Sequence, residues 1–221
     1  MNTECPNPKC KALFEVPDER QGKNGPCPAC GQVITFRSLQ IIREVQRQHA
    51  KRTSLQGAQL PGETPVAFSA LLEDIRSLWN VGSIFRSADG AGFTKLYLCG
   101  ITGSPEQKAA TKTSLGAEAH IAWAQHTSAL EVLPDLVLQG VQIVILEKTE
   151  HSESLGVALA RNAIKTPLCL VVGNEVAGVS AESLSLAALT CHLPMFGVKT
   201  SLNVAVAFGI AAYRIRESVI S

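Results

Sequence analysis

From Pro65 to its last residue the sequence alternates between short apolar runs and helical stretches, and this leaves few architectures open. Strand-like runs fall at Val66–Leu71, Leu96–Cys99, His120–Ala124, Val141–Leu146, Leu168–Val172 and Cys191–Leu193. Helix-like stretches fall at Val81–Asp89, Ala129–Leu138, Leu155–Ala163, Ala181–Leu189 and Leu202–Arg216. Apolar runs separated by helices predict an α/β fold, a mostly parallel sheet with helices on both faces. On such a sheet, ligands bind beyond the carboxyl ends of the strands. The last helix is apolar all round through Tyr213, which predicts burial on every side. Gly209 at its middle predicts close packing or a dimer contact.

The front of the chain follows other rules. Residues 1–36 are punctuated by Cys, Pro and Gly and are too short for a core of their own. Cys5 and Cys10 form a C-x4-C pair, and sixteen residues later Cys27 and Cys30 form a C-x2-C pair followed by Gly31. Two thiolate hairpins of this kind can surround one tetrahedral Zn²⁺, and such a segment takes much of its folding free energy from the metal. The stretch is similar to a zinc ribbon, with Phe14-Glu-Val-Pro-Asp18 as the strand and turn between the pairs. Two roles stay open for it: an RNA-gripping module, or a structural cap or dimer contact.

Residues 37–64 make a helix and a linker. Leu39, Ile42 and Val45 recur at helical spacing over 37–52, while Arg43, Arg47 and Lys51 form a stripe on another face. That stripe is either a solvated face or a set of phosphate contacts. The chain divides at these points into 1–36, 37–64 and a body at 65–221.

Net charge is only +1, so the total says nothing about partners, but its distribution does. Residues 1–60 hold nine Lys/Arg against five Asp/Glu, and residues 61–221 hold eleven against fourteen. A basic front on a slightly acidic body suits a polyanionic partner. No run reaches the roughly 18 apolar residues of a membrane span, and the start shows no signal-peptide pattern. Cys99, Cys169 and Cys191 lie singly in or beside apolar segments, which suits a reducing, cytoplasmic setting.

Three segments of the body carry polar side chains at strand and helix junctions. They are Asn80-Val-Gly-Ser-Ile-Phe-Arg86, then Gly173-Asn174-Glu175-Val-Ala-Gly178, then Leu193-Pro194-Met195-Phe-Gly197 running on to Ser201-Leu202-Asn203-Val204. Gly173 after an apolar strand lets a ligand approach the backbone. Ser201 reads as the N-cap of the last helix, with Asn203 in its first turn. Each segment alone is ordinary turn or cap chemistry. In combination and in this order, with Lys112-Thr-Ser-Leu-Gly-Ala-Glu118 between them, they resemble the motifs of the SpoU/TrmH branch of the SPOUT RNA methyltransferases over residues 65–221.

The resemblance implies a C-terminal trefoil knot at about residues 165–221, S-adenosylmethionine as methyl donor, and a homodimer with its sites at the subunit interface. It implies donor contacts from Gly173, Asn174, Leu193, Met195, Gly197 and Leu202, and a catalytic set of Arg86, Asn80, Glu175, Ser201 and Asn203. The implied reaction is methylation of a ribose 2′-hydroxyl in tRNA or rRNA, with tRNA favoured. The family's proposed proton acceptor is the arginine of the first motif, here Arg86. A guanidinium stays protonated at ordinary pH, so stabilising the developing alkoxide or pairing with the adjacent phosphate suits Arg86 better. A catalytically silent RNA-binding protein on the same fold is the competing reading. A nucleotide-binding dehydrogenase would need a Gly-x-Gly-x-x-Gly after the first strand, and none occurs there.

Overall fold

The structure, a computed structural model, describes residues 1–5, 9–21, 23–36 and 67–220. The expected basic helix with Arg43, Arg47 and Lys51, and the linker after it, lie outside the described residues.

The body is a seven-stranded sheet in which every neighbouring pair is parallel. Its strands are β5 (Phe68–Glu73), β6 (Lys95–Cys99), β7 (Ala122–His126), β8 (Gln142–Leu146), β9 (Glu153–Ser154), β10 (Leu168–Val172) and β11 (Leu189–His192). Their spatial order is β7-β6-β5-β10-β8-β11-β9. The central strands β5 and β10 are buried at every position, as continuous apolar runs require, while the edge strand β7 is buried at none.

Six helices cover the sheet: α1 (Leu78–Gly90), α2 (Lys108–Ser114), α3 (Leu133–Leu138), α4 (Leu155–Ala160), α5 (Ala181–Leu184) and α6 (Val204–Ile220). One apolar cluster joins α1, α4 and α6 to one face, with Phe68, Phe93 and Phe208 in a chain of ring contacts at 5.6 and 5.7 Å. A second cluster packs Val132, Leu133 and Leu136 against Ile143, Ile145 and Val171. Helix α1 buries Val81, Ile84, Phe85 and Ala88, the i, i+3, i+4, i+7 face of a helix.

The elements differ from expectation where local chemistry decides. Helix α1 starts three residues early because the Ser77 hydroxyl accepts the Asn80 N–H, so Asn80 sits in the first turn. The stretch expected as one helix at Ala129–Leu138 breaks into a 3₁₀ turn, Ala129–Glu131, and α3 with Pro134 in its first turn. Helix α5 stops at Leu184, five residues short of the expected end, and the weakly patterned α2 and two-residue β9 were not foreseen.

Helix α6 bears on two expectations. Within one chain its burial is one-sided: Val206, Ile210 and Tyr213 are 51%, 40% and 48% exposed, a stripe left open among the described residues. Gly209 faces α1, where a Cβ would stand 3.3 Å from the Ser87 hydroxyl, so the small residue serves packing within the chain.

In the front module, β1 (Asn2–Glu4) pairs antiparallel with β2 (Leu13–Glu15), and β3 (Asn24–Pro26) with β4 (Val33–Thr35). Its buried apolar cluster is only Cys5, Cys27, Ile34 and Phe36.

Candidate active site and metal centre

The active-site candidate lies beyond the carboxyl ends of β8, β10 and β11. A cleft of about 550 Å³ is lined there by Leu146–Lys148, Val172–Val176 and Gly178, by His192, Leu193 and Met195, and by Thr200–Val204 with Ala207. That volume suits a small-molecule ligand. The strand order reverses beside it, since β5 leads outward to β6 and β7 on one side while β10, β8 and β11 lie on the other.

Glu175 organises the cleft. One carboxylate oxygen accepts the Arg76 N–H at 3.0 Å, and the other accepts the Ser77 N–H at 3.2 Å and the Asn80 amide at 2.8 Å. Partial burial works to raise its pKa. The donated hydrogen bonds, that from the Arg76 N–H foremost, outweigh this and hold the carboxyl below its ordinary value. The Asn80 carbonyl oxygen in turn accepts the Asn203 amide at 3.0 Å. Asn203 then caps α6, its side-chain oxygen accepting the N–H groups of Ala205 and Val206 at 2.9 and 3.3 Å. This corrects the expected cap at Ser201, which sits exposed two residues earlier on the cleft wall. One residue from each of the three polar segments thus joins a single hydrogen-bonded line, Glu175–Asn80–Asn203.

The turn that carries Glu175 is tightly held. The Asn174 side-chain oxygen accepts the N–H groups of Val176 and Ala177, its amide donates to the Asp74 carbonyl at 2.7 Å, and its backbone bridges Gly178. A Cβ at Gly173 would stand 2.5 Å from the Gly178 carbonyl carbon and the Val179 nitrogen. The glycine is therefore demanded by the chain's own turn, as well as by its place on the cleft.

Side chains that sequence reasoning passed over anchor this turn from below. Glu73, 1% exposed, accepts the Ser180 N–H at 3.1 Å and the hydroxyls of Ser180 and Ser183 at 2.7 and 3.1 Å. Glu147 accepts the Val179 N–H at 3.2 Å. The signal for Glu73 was legible: a carboxylate pair, Glu73-Asp74, closes the apolar run of β5 at a sheet's functional end.

Of the expected donor contacts, Gly173, Asn174, Leu193, Met195 and Leu202 line the cleft, and Gly197 does not. Of the expected catalytic set, Glu175, Ser201 and Asn203 line it and Asn80 is bonded to it. Arg86 stands apart. It is exposed on α1 and makes no hydrogen bond or ion pair among the described residues. Six residues turn a helix by about 240° past full rotations, which carries Arg86 well away from Asn80.

The four front cysteines converge. Their sulfurs all lie within 4.8 Å of one another, with Cys5–Cys30 at 3.7 Å and Cys10–Cys27 at 3.8 Å. Four sulfurs each ~2.3 Å from one tetrahedral Zn²⁺ stand about 3.8 Å apart. Desolvation works to raise the Cys27 thiol, but backbone N–H groups of Cys30 and Ala29 outweigh it and draw the pKa down to about 7. Gly31 takes a φ of 73° to close this knuckle.

Fold and cleft define an α/β protein with room for a small ligand at the carboxyl ends of its strands. The chain belongs to the SpoU rRNA Methylase family, whose pattern it matches over residues 67–213. It is 28% identical over 145 residues to the tRNA (guanosine(18)-2'-O)-methyltransferase of Escherichia coli, covering 64% of this chain and 59% of that protein. It is 29% identical over 152 residues to the 23S rRNA (guanosine(2553)-2'-O)-methyltransferase RlmP of Bacillus subtilis, covering 66% and 56%. The crystal structure of an AdoMet-bound rRNA methyltransferase from Sinorhizobium meliloti superposes with a TM-score of 0.64 at 27% identity, over 72% of this chain and 60% of that one. The chain thus spans a little under two thirds of the length of each of these relatives.

Proposed function

We propose that this protein transfers a methyl group from S-adenosylmethionine to a ribose 2′-hydroxyl of tRNA or rRNA, with tRNA favoured. The observation that carries the reading is the Glu175–Asn80–Asn203 line, which ties the three family motifs to one cleft. The donor fits the residues present. Leu193, Leu202 and Met195 offer apolar surface for an adenine, and the carboxylates of Glu147 and Glu175 suit a ligand with cationic groups. When bound, the donor supplies an electrophilic methyl on a sulfonium, a leaving group that needs no acid.

The chain's own residues do the rest. Asn80 and Asn203, fixed by Glu175 and by the α6 cap, orient the ribose, and Ser201 on the cleft wall adds a hydroxyl partner. Arg86 offers a fixed positive charge to the developing alkoxide or its phosphate. Within one chain Arg86 does not reach the cleft residues. A homodimer across the exposed Val206, Ile210 and Tyr213 stripe of α6, the helix packed on α1, gives it a neighbour it lacks. We place residues 165–221 in a trefoil knot, on family membership, and the protein in the cytoplasm. Cys5, Cys10, Cys27 and Cys30 hold a structural Zn²⁺, and Arg43, Arg47 and Lys51 contact RNA phosphates.

Titration with S-adenosylmethionine, followed by mapping ribose methylation in total RNA with and without the gene, tests the whole reading. The titration should show binding, and one 2′-O-methyl group should vanish with the gene. Arg86→Ala or Arg86→Lys should abolish turnover while the donor still binds. A chain that takes up no donor would stand as a silent RNA binder instead.

A further inference from the structure

The first turn of α1 carries more than Asn80. Trp79, its neighbour, is 53% exposed, an unusual setting for the side chain with the most apolar surface to hide. Its backbone is held in place. The Thr113 hydroxyl donates to the Trp79 carbonyl at 3.1 Å, and α2 lies so close that a Cβ at Gly82 would stand 2.1 Å from the Ala110 oxygen. The Lys112 ammonium sits 5.8 Å from the centre of the indole, and Leu115, 65% exposed, lies one turn further along.

The exposed charge on the two segments that meet at the ring is mostly positive, with the Glu175 carboxylate held at the same turn. Arg76, Lys108 and Lys112 are exposed and form no ion pair among the described residues. Glu106 is the single acid between positions 101 and 117, and Glu175 is taken up by Arg76, Ser77 and Asn80. An exposed aromatic ring beside unneutralised cations matches a ligand with flat π faces and a polyanionic backbone, which is single-stranded nucleic acid. The same turn donates two backbone N–H groups and the Asn80 amide to Glu175, so whatever stacks there is registered against the cleft.

We propose that Trp79, with Lys112 beside it, is a stacking platform for an unpaired nucleobase next to the nucleotide being methylated. The platform rests on the RNA reading above and adds a substrate requirement to it: the modified ribose lies in a loop or splayed strand, where a neighbouring base is free to leave its own stack. Lys112 and Arg76 hold the adjoining phosphates, and base identity is read weakly because every base offers a π face.

The test uses the full chain with Trp123→Phe, which leaves Trp79 as the single tryptophan, and a short mixed-sequence single-stranded oligoribonucleotide as probe. Trp79 emission should be quenched on binding. Trp79→Ala should weaken binding on the order of tenfold, while Trp79→Phe restores most of it. Affinity for S-adenosylmethionine and the oligomeric state should stay as in the parent. Absent quenching together with unchanged affinity in Trp79→Ala overturns the platform, as does a change of oligomeric state in that variant, which would make this surface a subunit contact. Quenching is read without turnover, so the two readings fail separately. A protein that is quenched by RNA but takes up no donor loses the methyltransferase reading and keeps the platform.

Discussion

The two described regions solve the same problem with opposite chemistry. The body buries whole strands between two apolar clusters, with the phenylalanine chain Phe68–Phe93–Phe208 on one face of the sheet. Among its described residues the front module buries four apolar side chains, two of which are cysteines of the candidate metal centre. Cysteine itself shows the contrast. In the body, burial pushes the Cys169 thiol up to about 12 and Cys191 to about 11, leaving both as small protonated core residues. In the module, backbone N–H groups draw Cys27 down to about 7, toward the thiolate a metal requires. Cys169 and Cys191 are thus packing, whereas at Cys27 the backbone N–H groups tip the sulfur toward thiolate.

The largest expected effect separates the regions outright. Chelation, or Cys27→Ser, should remove one zinc per chain and with it about 10 kcal/mol of metal-linked folding free energy. Metal analysis and calorimetry should find the module unfolded while the body keeps its melting transition and its donor affinity. Joint loss of both transitions would break the comparison. Next comes the reverse experiment. Phe208→Ala removes one end of the aromatic chain, 0% exposed, and should cost the body about 3–5 kcal/mol with no loss of zinc. An equal fall in zinc content would mean that the module leans on the body.

These regions were legible in the sequence to different depths. The parallel sheet followed from apolar runs such as Leu168–Val172, whose bounds were met to the residue because a strand buried on both faces has no polar position to blur its ends. The convergence of the four front cysteines followed from their spacing alone. The cleft was legible only as a set of motifs, since nothing local says that Asn80 bonds Asn203 across 123 positions. Ser201 looked the better cap, and only the fold shows Asn203 in that place, with its other end on Asn80. The α6 stripe was legible only in part, for a related reason. An apolar helix announces that it will be covered, without saying whether its own chain or another copy does the covering.

The smallest effect sharpens the contrast from the side of the carboxylates. Glu175 is ionised in the folded cleft and held below its ordinary pKa, so its contribution is complete above the usual carboxylate range and is lost as the pH falls through the depressed value. Donor affinity should therefore be flat around neutrality and decline only on acidification past that range. Glu175→Gln keeps the shape but loses two charged acceptors for Arg76, Ser77 and Asn80. It should weaken donor binding at neutral pH by roughly fivefold, a charge-assisted contact discounted for its partial exposure, and should remove the acidic decline. Zinc content should not follow it, since none of the hydrogen bonds of Glu175 involves a cysteine. If Glu175→Gln bound the donor as tightly as the parent across the whole range, the line from Glu175 to Asn203 would be scaffolding for the turn alone, and the charged cleft of the body would lose its proposed part in donor binding.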